Sequence, residues 1–239
     1  MISEKDLNEI FPHPAVREVA CEIRFAPRLR IVPDIWRVQD KVASSYPQVG
    51  EEETRVGDSK PLRTFVFANP TEQRLIKVSQ ENFVFVTLQY RSYEELKAEA
   101  LKRIDDFCQE FEINSLQRIG LRYVNHIELG KKDGITALQK YVNAPVKFDE
   151  FELKQLEQFL TEFRIAIGHH KLTIRGALLQ LPTDLNRLLY VLDLDCFTLG
   201  ANLPAALDKL LDEFHYAIQL QFLKHVREEY KQLMRQEAP

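Results

Sequence analysis

Apolar and polar residues alternate along much of the chain. In residues 16–25, VREVACEIRF, one side carries Val19, Cys21, Ile23 and Phe25, and the other Glu18, Glu22 and Arg24. Successive strand side chains point to opposite faces, so this predicts a strand with one buried face. Residues 118–129, RIGLRYVNHIEL, repeat the pattern. Ile119, Leu121, Tyr123, Ile127 and Leu129 lie on one side, and Arg118, Arg122, His126 and Glu128 on the other. Asn125 falls on the apolar side. A buried Asn must be hydrogen-bonded, so it is expected to tie down backbone in the core.

Similar runs predict strands over 62–68, 73–79, 82–90, 161–168, 171–181 and 187–197. Asn69–Pro70, residues 80–82 and the GHHK stretch around His169–His170 read as turns. Residues 49–61, VGEEETRVGDSKP, are polar with two Gly and a Pro, and read as a surface loop. Residues 150–160 suit either a helical turn or a strand start.

Helical spacing appears four times. Pro33 opens one helix, with Asp34 beside its N-terminus and Trp36 expected to pack. Ser92 and Glu95 form a capping box ahead of the stripe Leu96, Ala100, Ile104, Phe107, Cys108 and Phe111. A short helix fits 135–142. A long one fits 203–235, with Leu207, Leu210, Leu211, Phe214, Ile218 and Phe222 buried and its last turns mostly charged.

The element order is strand, helix, three strands, helix, and then it repeats. KRIDDF (102–107) parallels KLLDEF (209–214), and equivalent elements lie roughly a hundred residues apart. The fold class expected is α+β: two β-α-β-β-β-α repeats forming curved antiparallel sheet with helices on one face. Such an arrangement resembles TATA-binding-protein-like or helix-grip architecture. The expected divisions are a flexible arm over 1–13, a first repeat over 14–114 and a second over 115–239 with the long helix.

Composition narrows the function classes. The chain has 239 residues, is 45% hydrophobic and 28% charged, and carries a net charge of −4. Extended duplex binding needs clustered cations, which this balance does not advertise. Cys21, Cys108 and Cys196 lie far apart, so neither a zinc site nor a disulfide framework is expected. No stretch approaches 18 apolar residues and the N-terminus has no secretory pattern, so a cytoplasmic protein without membrane contact is expected.

Dinucleotide, phosphate-loop, zinc-protease and serine-hydrolase motifs are not found. Asp193 and Asp195 share a strand face and are weak candidates for holding a metal ion; cross-strand arginines would pair them equally well. His126 with Glu128 has the make-up of an acid–base pair, without a nucleophile nearby in sequence. His215 is expected to pack on the sheet. The binding candidates are Arg24, Arg118, Arg122, His126 and Glu128, since arginine forks suit carboxylates and phosphates. Mutual salt bridges with Glu18, Glu22 and Glu128 are the structural alternative. No catalytic residue and no cofactor are expected.

Three patterns resemble a known family. They are Pro14, Val16, Glu18 and Val19 with Ile23, Arg24 and Phe25; then Arg118, Gly120, Leu121, Arg122, Tyr123 and Asn125; then His215, Ile218 and Phe222. The chain resembles a sporadically distributed bacterial family of uncharacterised proteins of about its own length. The resemblance implies no activity or cofactor. The family's patchy distribution points to defence-type gene neighbourhoods, such as toxin–antitoxin or CRISPR-type systems. The expected function is a non-enzymatic accessory protein binding a protein partner through the open sheet face or the last helix. A nucleotide or nucleic-acid sensor and a metal-dependent hydrolase are the alternatives, and homo-oligomers are compatible with all three.

Overall fold

A computed structural model describes residue 7 and residues 9–54, 62–131, 136–144, 158–181, 184–202 and 207–236. The chain is α+β, with a large antiparallel sheet of nine strands. The strands are β1 (Val16–Arg24), β2 (Gln48–Thr54), β3 (Leu62–Asn69), β4 (Arg74–Val78), β5 (Asn82–Thr87), β6 (Ser115–Lys131), β7 (Phe159–Ile167), β8 (His170–Leu181) and β9 (Asp184–Asn202). Their order in the sheet is β2-β3-β4-β5-β1-β6-β9-β8-β7. The described helices are α1 (Trp36–Val42), α2 (Tyr93–Phe111), α3 (Thr136–Tyr141), α4 (Leu207–His225) and α5 (Glu228–Arg235). None of the described helices is long and apolar enough to cross a membrane.

The chain clusters into two compact units. One comprises Met1–Arg17, Tyr123–Cys196 and His215–Pro239; the other comprises Glu18–Arg122 and Phe197–Phe214. In the second unit, β1 pairs with β5 so that Cys21 faces Phe85 and Ile23 faces Phe83. Helix α2 covers that face. Phe107 lies 5.7 Å from Phe25, 4.8 Å from Phe83 and 5.1 Å from Phe111, ring to ring. Burying each such ring contributes about 2 kcal/mol. The cap of α2 forms as its sequence specifies, with the Ser92 hydroxyl accepting from Glu95 N–H at 3.2 Å.

Three expectations need correction. Residues 48–54 form an edge strand and are not loop. Its successive glutamates reach cations on the next two strands, Glu51 to Arg63 of β3 at 2.6 Å and Glu52 to Lys77 of β4 at 2.9 Å. An edge strand with one neighbour tolerates such polarity. Trp36 is 52% exposed, because α1 buries Val38 and Val42 instead. The last helix breaks between α4 and α5. Arg227 is extended and its N–H donates to the Tyr141 carbonyl at 2.8 Å, while Val226 bridges to Val142. Asn143 completes the staple by donating its backbone N–H to the His225 carbonyl at 2.7 Å. Pairing with the end of α3 thus replaces helix continuation. Residues 150–157, where the sequence pattern is ambiguous, lie outside the described residues.

Candidate functional site

The five binding candidates fall into two groups, one in each unit. In the unit Glu18–Arg122 and Phe197–Phe214, Glu22 gathers the arginines. Arg24 Nε donates to one Glu22 oxygen at 2.9 Å, and Arg118 Nη1 pairs with the other. The Arg118 guanidinium also lies over the Phe197 ring, 4.6 Å from its centroid. Gly120 makes this geometry possible. A Cβ built there would fall 2.5 Å from Arg118 Nη1, so the arginine lies flat along its own strand where a side chain would otherwise stand. Arg122, on the same face, is exposed.

Asp193 is buried and accepts from Arg175 Nη1 at 3.2 Å, while Arg175 Nε donates to Glu162 at 2.6 Å. Asp195 is half-buried. Among the described residues, no three His, Cys, Asp or Glu side chains cluster as metal ligands would. Asn125 is buried, and its Nδ2 donates to the Leu192 carbonyl at 3.1 Å. Tyr123 meets His215 of α4, hydroxyl to Nδ1 at 3.0 Å. Asn125 thus ties strand to strand, and Tyr123 ties the sheet to α4.

Cys21 and Cys108 are poor nucleophiles, since burial pushes each thiol up to about 12. Cys196 is also buried.

His126 and Glu128, in the other unit, line an open cleft of about 370 Å³ together with Pro12, His13, Pro14, Arg17, Tyr230, Leu233 and Met234. That volume falls in the range of small-ligand or side-chain sites. Three segments build it. Strand β6 is held by the His126 N–H donating to the Ala15 carbonyl at 2.8 Å. The segment before β1 is held by the His13 N–H donating to the Met234 carbonyl at 3.1 Å. Helix α5 supplies Tyr230, Leu233 and Met234, at helical spacing of three and four. Arg235 fixes that helix further by donating from Nε and Nη2 to the two Glu9 carboxylate oxygens, at 2.5 and 2.8 Å.

The cleft combines nitrogen-bearing polar side chains with apolar ones. Two imidazoles and a guanidinium (His13, His126, Arg17) stand beside Pro12, Pro14, Leu233 and Met234. Its one carboxylate, Glu128, pairs with Arg187. Arg17 uses one of its five N–H groups on the Pro14 carbonyl, at 3.2 Å. Burial pushes the Tyr230 phenol up to about 12, so it stays protonated; it donates to the His126 carbonyl at 3.4 Å.

Sequence reading found two of the nine lining residues as site candidates. It missed His13 because residues 1–13 read as a loose arm, and Arg17 because it falls in step with the apolar side of the 16–25 strand. The signal available was the Pro-His-Pro run, whose prolines hold an extended backbone. It missed Tyr230, Leu233 and Met234 because charges outnumber them in their segment.

No protein-family model matches the chain, and no curated protein matches it.

Proposed function

We propose that this chain is a non-enzymatic binding protein whose cleft holds an acidic, partly apolar segment of a protein partner. One observation carries this reading: Arg17, His13 and His126 line the same cleft as exposed Leu233 and buried Met234. A carboxylate would take charge-assisted hydrogen bonds from the guanidinium, and neighbouring apolar side chains would cover Leu233. Catalysis is less well supported. Glu128 is engaged by Arg187, and the lining includes no Ser, Thr, Cys or Lys. The nucleotide reading is weakened by the commitment of Arg24 and Arg118 to Glu22.

The strand order also supports an internal duplication of residues 14–114 and 115–239. The run β3-β4-β5-β1 in the first stretch is matched by β7-β8-β9-β6 in the second, with β2 as an addition. A role as an accessory component of a bacterial defence system fits a binding protein and follows from the family resemblance alone.

Fluorescence anisotropy tests the reading. Labelled peptides mixing Glu with Leu should bind, Lys–Leu peptides should not, and Arg17→Ala with His126→Ala should weaken binding about tenfold. Preferential binding of RNA or nucleotides, unaffected by those substitutions, would overturn it.

A further inference from the structure

The two ends of the sheet differ in chemistry. Edge strand β2 carries Glu51, Glu52 and Glu53, the kind of charge that discourages strand addition. At the other end of the sheet among the described residues, strand β7, FLTEFRIAI, is largely apolar, with several exposed side chains. Leu160 is 74% exposed and Ile165 36%, and on the adjoining β8 Leu179 is 43% exposed. On its other side β7 pairs fully with β8, from Phe159 opposite Leu178 to Ile167 opposite His170. Only Gly168 and His169 separate the two strands, and Gly168 has the positive φ (58°) that such tight turns require.

That turn fixes which backbone groups face outward. In a two-residue hairpin the flanking pair, Ile167 and His170, exchanges hydrogen bonds, and the pattern alternates from there. Ala166, Arg164, Glu162 and Leu160 therefore direct their N–H and C=O groups away from β8. The same four side chains share one face, and all are exposed.

We propose that β7 is a homodimer edge, pairing antiparallel with β7 of a second copy across a twofold axis through Phe163. The charge pattern is self-complementary in this register. Glu162 falls opposite the second copy's Arg164, and Arg164 opposite its Glu162. Leu160 meets Ala166, Phe159 meets Ile167, and Phe163 meets itself. Centring the axis one residue away, on Glu162 or on Arg164, would oppose like charges, which destabilises a ladder. Centring on Phe163 also brings the outward-directed backbone groups together in pairs, because residues 162 and 164 both point outward. Glu162 bonds Arg175 within its own strand pair while 51% exposed, so a second arginine would extend that ion pair into a network.

Sedimentation of the full chain tests the register. The wild type should behave as two copies of the 28.0 kDa chain at micromolar concentration in low salt. Arg164→Glu should weaken the dimer about tenfold or more by opposing carboxylates. Adding Glu162→Lys to that variant should restore it. Circular dichroism should show both variants folded, and Leu160→Lys, which leaves the charge pair intact, supplies an independent disruption. A monomeric wild type, whether because the edge is covered by the chain's own residues or because it stays open, would overturn the proposal. So would a dimer unaffected by all three changes.

Discussion

The His13 N–H donates to the Met234 carbonyl at 3.1 Å, binding a residue near the start of the chain to one near its end. This bond sets the separation between the Pro-His-Pro segment and α5, two walls of the cleft. Replacing His13 with Pro removes the donor. We expect a loss of about 1 kcal/mol. Hydrogen exchange should speed up across Glu228–Arg235 while α2 stays protected. Equal protection of α5 in variant and wild type would show that the bond does not hold this wall.

Gly120 matters for what it leaves empty. Gly120→Ala should push the Arg118 guanidinium off its strand, uncoupling it from Glu22 and Phe197. A stability loss of about 1–2 kcal/mol is expected from the lost cation–π contact and partly buried ion pair. In a double-mutant cycle with Arg118→Met, the second substitution should add little. Additive losses would mean that the two residues act separately.

Gly176 and Tyr190 form a tighter pair. A Cβ at Gly176 would sit 2.3 Å from the Tyr190 hydroxyl and 3.0 Å from Thr161 Oγ1. That hydroxyl is buried without a hydrogen-bond partner among the described residues, and its phenol is pushed up to about 12 by burial. Tyr190→Phe should therefore be neutral or stabilising by up to about 1 kcal/mol, since it removes a dehydrated polar group. Gly176→Ala should destabilise the wild type by about 2 kcal/mol and the Tyr190→Phe background by less. Urea unfolding measures both. A clear loss from Tyr190→Phe would refute this account.

His225 should make stability depend on pH. Its imidazole is 6% exposed at the α4–α5 break, stacks on Phe163 with ring centroids 6.5 Å apart, and lies 3.0 Å from the Gln221 carbonyl through Nδ1. Burial lowers its pKa below the ordinary 6.5, opposed by the Gln221 backbone bond and aided by Lys224. The unfolded chain therefore binds this proton more readily. The stability it confers is present above about pH 6.5 and is lost as pH falls through the lower folded value. Melting temperature should drop between roughly pH 7.5 and pH 5, with a shallower drop in His225→Gln. Identical slopes in the two proteins would assign the effect to other groups.

Local pattern was enough for most elements. Strict alternation in VREVACEIRF and RIGLRYVNHIEL specified two strands and their buried faces, because a strand's period is two whatever lies beside it. Ser92 and Glu95 announced the start of α2, since a cap uses only neighbouring backbone. Asn125 stood out as a polar residue in an apolar row, and its bond to Leu192 is the one that position required. Tertiary structure decided what depends on partners distant in sequence. Three consecutive glutamates became strand β2 because Arg63 on β3 and Lys77 on β4 receive two of them. The last helix broke where Tyr141, ending α3, and Val142 just after it offered pairing in place of the next turn. Arg118 turned out to be held by Glu22, 96 residues away in the chain. The cleft exists only because Pro12, His126 and Tyr230, which share no local pattern, are folded against one another. Periodicity shows which face of an element is buried; which charges meet on the other face is settled by long-range packing.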